Sequence, residues 1–101
     1  MIYFDCAATS FQKPASVAAA MWEALASMSS PGRGGYPAAA RASDVAFQCR
    51  SELAELFGLK NPEQVVFTLN ATHALNIAIK SLVPPGGTAV ISGYEHNAVT
   101  R

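Results

Sequence analysis

Charged residues are scarce in this sequence. Lys, Arg, Asp and Glu make up 14% of its 101 residues, against about 25% in an average domain. The seven basic and seven acidic side chains cancel to a formal net charge of zero, so the basic footprint of a nucleic-acid-binding protein is missing. Because apolar residues reach 50%, we expect other protein to cover much of this surface, in a larger fold or in an oligomer.

Long apolar runs, targeting signals and paired cysteines are also missing. No run approaches the roughly 18 residues that span a bilayer, and the N-terminus lacks the charged-then-apolar order of a signal peptide. Cys6 and Cys49 form no C-x-x-C pair, which gives no support to a metal site or a redox pair. We therefore expect a cytoplasmic protein with free thiols, in which Cys49, on a helical pattern, lies in the core.

Apolar periodicity predicts two helices in the first half of the chain. Pro14 suits the first turn of a helix, and residues 29–37, rich in glycine and proline, end it. This segment has no phosphate-loop signature and is interpreted as a flexible connector. A second helix is predicted from about residue 38 to residue 57, with Gly58 after its end. The side chains predicted to face the core are Val17, Met21, Trp22, Leu25 and Met28 in the first helix and Val45, Cys49, Leu53, Leu56 and Phe57 in the second.

Two short strands are predicted in the second half, at residues 64–68 and 88–92, since both segments are short and largely apolar. A helix from Thr72 to about Leu82 separates them, and this order argues for an α/β sheet. Two strands cannot form a parallel sheet that is covered on both faces. The small number of strands, the apolar excess and the end of the chain directly after EHNAVTR together predict the front part of a longer protein. The chain would then be a single incomplete domain.

Residues able to carry chemistry follow both predicted strands. In FTLNATHALN, residues 67–76, a turn and the hydroxyl of Thr72 precede a helix, whose N-terminal N–H groups and positive dipole end suit an anion. His96 follows the second strand. Ligands of open α/β sheets collect at the carboxyl ends of strands, so we expect one shared site. Taken alone, Thr72 could equally be a plain N-cap, and His96 a surface residue.

Three segments resemble the cysteine desulfurase and selenocysteine lyase branch of the class V aminotransferase family. YFDCAATS, residues 3–10, matches the family's Y-L-D-N-A-A-T-T, and FTLNATHALN matches F-T-S-G-A-T-E-A-N-N. VISGYEHNAV, residues 90–99, matches V-I-x-S-x-x-E-H-N-A-V. The resemblance covers essentially the whole chain. It implies the N-terminal part of a PLP-dependent transferase fold (fold type I, aspartate aminotransferase-like) with a mainly parallel sheet, incomplete here. Residues 1–60 would form the N-terminal segment and helices, and residues 61–101 the start of the large PLP-binding domain.

The resemblance also implies pyridoxal 5′-phosphate (PLP) as the cofactor. The backbone of Ala71 and the backbone and hydroxyl of Thr72 would hold its phosphate. His96 would stack on the pyridine ring and assist proton transfer as the catalytic residue. Ala7 and Ala8 would line the substrate side of the pocket.

Other catalytic residues of such enzymes come later in their chains. These are the Schiff-base lysine, the acid that pairs with the pyridine nitrogen and the arginine that binds the substrate carboxylate. The lysines of this chain match none of the family's lysine motifs: Lys13, Lys60 and Lys80. We therefore expect the reading frame to continue past residue 101 and to encode a lysine at the end of a later strand.

Three departures from the family pattern leave the substrate open. His73 stands where the family usually has Glu, Leu69-Asn70 replaces Ser-Gly, and Cys6 replaces Asn. Asparagine is the next-best residue to glycine if the φ at position 70 is positive. Cys6 is not the persulfide nucleophile, because that cysteine lies much later in a desulfurase.

The function expected from the resemblance is part of a cysteine desulfurase-like enzyme, which cleaves a C–S bond to give alanine and an enzyme persulfide. The chain would be inactive alone. A class V aminotransferase, a selenocysteine lyase and a non-catalytic binding module stay open as alternatives. The expected partners are a cysteine or selenocysteine substrate, a second copy in a homodimer of the full-length protein and a sulfur-acceptor protein, with neither nucleic acid nor membrane.

Overall fold

The computed structural model describes residues 1–100, and all regular secondary structure within that range is helical. The chain divides into two compact units, Met1–Gln64 and a second unit that begins at Val65. No described helix is long and apolar enough to cross a membrane. The elements are α1 (Ala15–Ser27), α2 (Pro37–Leu56), a 3-10 turn (Pro62–Gln64), α3 (Ala71–Leu82) and α4 (Asn97–Thr100).

Both predicted helices of the first unit form, and proline starts each of them. Pro14 is the N-cap of α1 and Pro37 is the first residue of α2, where a missing N–H costs no helical hydrogen bond. The connector between them was expected to be flexible, but it is hydrogen-bonded to α2. The Ser29 N–H donates to the carbonyl of Ala38 at 3.2 Å, and the Gly32 N–H donates to Ser43 Oγ at 3.0 Å.

The end of α2 confirms the role predicted for Gly58. This glycine has a φ of +65°, in the left-handed region that a residue with a Cβ avoids. Its N–H donates to Glu55 O at 3.1 Å, and the Leu59 N–H donates to Ala54 O at 2.8 Å. This pair of bonds is a Schellman motif, which satisfies two carbonyl groups that the helix itself leaves without donors.

The prediction that the two apolar faces lie in a core is wrong for this chain, because eight of the ten side chains are exposed and the other two, Met28 and Leu53, are only half-buried. Trp22 and Leu25 of α1 are 75% and 79% exposed, and Cys49 of α2 is a free, exposed cysteine. Among the described residues the buried apolar set consists of three alanines: Ala39, Ala54 and Ala98. The accessible surface is 8777 Å², whereas a folded monomer of 10.6 kDa has about 5,500 Å². The helices form, but no described element covers their apolar faces.

Neither predicted strand is present among the described residues. Residues 65–68 and 88–92 carry no regular structure, and Val66 and Val90 are 71% and 96% exposed. A strand requires a partner to complete its hydrogen-bond ladder, and these two segments do not pair with each other. The parallel sheet therefore remains an expectation that follows from the family resemblance alone.

Candidate cofactor site

Asn70 fixes the start of α3. Its backbone is extended, with a φ of −168°, and its Oδ1 accepts the N–H of His73 at 2.9 Å. Its carbonyl accepts the N–H of Ala74 at 3.1 Å. The N-cap is therefore Asn70 rather than Thr72, and the side chain serves as a cap instead of permitting a positive φ.

This cap leaves adjacent donors free at the positive end of a 12-residue helix. Ala71 and Thr72 occupy its first two positions, and their N–H groups have no hydrogen-bond partner among the described residues. The hydroxyl of Thr72 likewise has none within that range. Two N–H groups and a hydroxyl at a helix N-terminus form a donor set that fits a phosphate, so the residues that the sequence assigned to the PLP phosphate are chemically suited to it.

His96 immediately precedes α4 and helps to start it. Its Nδ1 accepts the N–H of Ala98 at 3.1 Å, and its carbonyl accepts the N–H of Val99 at 2.8 Å. Since Nδ1 acts as an acceptor in this hydrogen bond, the ring hydrogen is assigned to Nε2. Nε2 is then the ring nitrogen left for a ligand.

Thr72 and His96 line the same cleft, which has a volume of about 350 Å³. This volume lies at the lower end of the range of about 300–1,000 Å³ for ligand pockets. The two features expected to share a site are thus neighbours, although the sheet that was expected to bring them together is absent from residues 1–100. The cleft is lined by Thr72, Asn76, His96, Asn97 and Ala98.

Sequence reasoning missed Asn76, which lies between the two predicted site residues. It is half-buried, and its Nδ2 donates to the carbonyl of Thr72 at 3.0 Å and to that of Ala98 at 3.5 Å. The available signal was its spacing, because a residue four positions after Thr72 lies on the same face of the helix.

Ala7 and Ala8 lie in a turn of the first unit, where the N–H of Ala8 donates to Asp5 O at 3.1 Å. Their assignment to the substrate side of the pocket stays a prediction. Lys80 is in the last turn of α3, about 12 Å along the helix axis from Thr72. Within residues 1–100, no lysine lines the cleft.

The comparison with protein families identifies the family of this chain. The aminotransferase class-V family matches residues 2–101, and the chain belongs to this family of PLP-dependent enzymes. It is 36% identical over 85 residues to the human (Homo sapiens) selenocysteine lyase, covering 81% of this chain and 18% of the human protein.

Two bacterial relatives carry the name probable cysteine desulfurase. The protein of Mycolicibacterium paratuberculosis (strain ATCC BAA-968 / K-10) is 33% identical over 103 residues, which cover 97% of this chain and 15% of the relative. The protein of Chlamydia muridarum (strain MoPn / Nigg) is 35% identical over 101 residues, which cover 96% and 25% respectively. The chain thus spans a quarter or less of these relatives. No solved structure matches it significantly.

Proposed function

We propose that this chain supplies the phosphate-binding helix and the ring-stacking histidine of a PLP-dependent enzyme that acts on an amino acid, in the manner of a cysteine desulfurase. The observation that carries the proposal is the cleft in which the open N-terminus of α3 and His96 meet. Family membership and the names of the two bacterial relatives support it. The human relative favours selenocysteine lyase as the second candidate, so the proposed substrate class is cysteine or selenocysteine.

In this proposal, Ala71 and Thr72 bind the cofactor, and His96 transfers a proton. The N–H groups of Ala71 and Thr72, with the Thr72 hydroxyl, donate to the phosphate and anchor the cofactor. PLP, when bound, supplies the electron sink that stabilises negative charge on the substrate. His96 stacks on the ring and holds a proton at Nε2 for transfer to or from the substrate. The lysine, acid and arginine that such an enzyme also needs are proposed to come from outside these residues, as are dimerisation and the sulfur acceptor.

The phosphate site can be tested with an analogue of PLP that lacks the reactive aldehyde. Pyridoxine 5′-phosphate keeps the ring and the phosphate but cannot react with lysine side chains, and pyridoxine lacks the phosphate as well. The 101-residue chain, labelled with ¹⁵N and kept at a concentration at which sedimentation shows a monomer, is titrated with each compound while the backbone amides are followed by NMR. We expect pyridoxine 5′-phosphate, but not pyridoxine, to shift the amides of Ala71 and Thr72.

A pair of variants on one helix provides the matched control. Thr72→Ala removes one hydrogen bond to a charged acceptor, which costs about 1.5–3 kcal/mol, or about 10- to 150-fold in affinity. Ser81→Ala makes the same kind of change near the other end of α3 and should leave the affinity unchanged. Equal affinities in the two variants, or equal shifts with both compounds, would rule out a phosphate site at this helix end.

A further inference from the structure

We propose that Asn76 is a positioning residue of this site, which holds the segment carrying His96 against the first turn of α3. The inference deepens the proposed function and rests on it for the identity of the ligand. Its own basis is a continuous series of hydrogen bonds that joins the phosphate end of the cleft to the imidazole.

The series begins at Thr72. The Thr72 N–H and hydroxyl face the proposed phosphate, while its carbonyl accepts Asn76 Nδ2 at 3.0 Å. The same Nδ2 donates to the carbonyl of Ala98 at 3.5 Å. The Ala98 N–H then donates to Nδ1 of His96 at 3.1 Å. The two ends of the cleft are thereby linked by one long-range hydrogen bond, between Asn76 and Ala98, which are 22 residues apart in sequence.

Few side chains other than that of asparagine suit this position. Its amide nitrogen carries two hydrogens, one for each carbonyl, and it brings no charge into the cleft. Aspartate has the same shape, but its carboxylate is an acceptor without a hydrogen to donate. It would lie against two carbonyl oxygens, which are also acceptors. Leucine and alanine provide no donor, so the carbonyl of Ala98, a buried residue, would lose its bond to α3.

The consequence for His96 is control of its tautomer. While Asn76 holds Ala98 in place, the Ala98 N–H stays directed at Nδ1, so that Nδ1 remains an acceptor and the hydrogen stays on Nε2. If Ala98 moves away, either ring nitrogen can carry the hydrogen. Asn76 thus acts on the proton of His96 through the backbone of Ala98.

The first test needs no ligand. Asn76→Ala keeps α3 intact, because alanine is the better helix former, and Asn76→Asp keeps the size of the side chain. We expect the amides of Ala98 and Val99 to exchange about two- to tenfold faster with solvent in both variants, as the loss of neutral hydrogen bonds predicts. The ¹⁵N shifts of the His96 ring should change from those of one tautomer to an average of two. Asn61→Asp, an equal charge change in the first unit, should alter neither quantity.

The second test uses pyridoxine 5′-phosphate. In Asn76→Ala the ligand should still shift the Ala71 and Thr72 amides, while its effect on the His96 ring falls severalfold. Unchanged amide exchange and an unchanged tautomer would overturn the proposal, as would a parallel loss of the Ala71 and His96 responses, since that indicates general unfolding. If the unmodified chain binds no phosphate, the proposed function fails, but the ligand-free measurements still decide the role of Asn76.

Discussion

Asn70 Oδ1 accepts the N–H of His73 at 2.9 Å, and this bond sets the chemistry at the start of α3. By satisfying the third N–H of the helix it leaves the first two, on Ala71 and Thr72, for a ligand. The family resemblance places a glycine at position 70, where no side chain could form this bond. In this chain the asparagine provides a cap and an unobstructed anion site at the same helix end.

Removal of the cap should therefore weaken α3. We expect Asn70→Ala to cost about 0.5–2 kcal/mol of helix stability, whereas Asn70→Gly should cost only a few tenths. Hydrogen exchange of the α3 amides measures the difference. Asn61→Ala, in the loop before the 3-10 turn, is the control and should leave α3 unaffected. Equal exchange in Asn70→Ala and the unmodified chain would show that the cap contributes no stability.

His73 completes the cap from the other side. Its Nδ1 accepts the N–H of Leu69 at 3.4 Å, so the imidazole performs a task close to that of the Glu or Gln in a capping box. We expect His73→Gln to keep an acceptor there and His73→Ala to lose it. Because the bond is long, its loss should cost about 0.5 kcal/mol, at the lower end for neutral hydrogen bonds.

Exchange of the Leu69 amide distinguishes the two His73 variants. It should be faster in His73→Ala than in His73→Gln, and the latter should match the unmodified chain. Equally fast exchange in both variants would mean that the hydrogen bond to Nδ1 does not protect this amide.

The exposed face of α1 should drive association. Trp22 and Leu25 are 75% and 79% exposed, and an apolar surface of this kind is removed from water by any available partner. We expect the isolated chain to associate with rising concentration and to unfold without a sharp transition. Sedimentation velocity should show Leu25→Lys as more monomeric than the unmodified chain. Ala20→Lys adds the same charge on the side of α1 opposite Trp22 and Leu25 and should change association less; an equal effect would indicate charge repulsion alone.

Local signals in the sequence were sufficient to predict the helices. Pro14 and Gly58 mark helix ends through their own backbone limits, and both predictions agree with the structure. The strands depended on partners, and the described residues supply none, so Val66 and Val90 are exposed. The prediction of buried core faces failed for the same reason. A periodic apolar face identifies a surface that must be covered, but it does not identify the element that covers it.

The site was predictable only in part. Thr72 and His96 could be chosen from motifs, and they line one cleft. The cap at Asn70 was not predicted. Because the family pattern has glycine at this position, Asn70 was interpreted through the φ that it allows and not through its side chain. Asn76 was missed because its second bond reaches Ala98, 22 residues away, and no local pattern reports such a contact.

His96 gives the sharpest test of the proposed chemistry, because its two roles call for different properties of the side chain. Stacking needs a flat ring, whereas proton transfer needs a nitrogen with an exchangeable hydrogen at Nε2. His96→Phe keeps the first property and removes the second, and His96→Ala removes both. Tyr94→Ala is the matched control, since Tyr94 is a fully exposed aromatic residue that does not line the cleft.

Two measurements separate these roles. With the 101-residue chain, the ring protons of pyridoxine 5′-phosphate should shift upfield on binding to the unmodified protein and to His96→Phe, but much less with His96→Ala. In a PLP enzyme that contains these residues together with its lysine, both His96 variants should lower turnover by about 10²- to 10⁴-fold, the contribution of one positioned acid–base group. Tyr94→Ala should leave the ring shifts and the turnover unchanged. If His96→Ala behaves like Tyr94→Ala in both measurements, His96 neither stacks on the ring nor transfers a proton, and the EHNAV match reflects shared ancestry without a shared role.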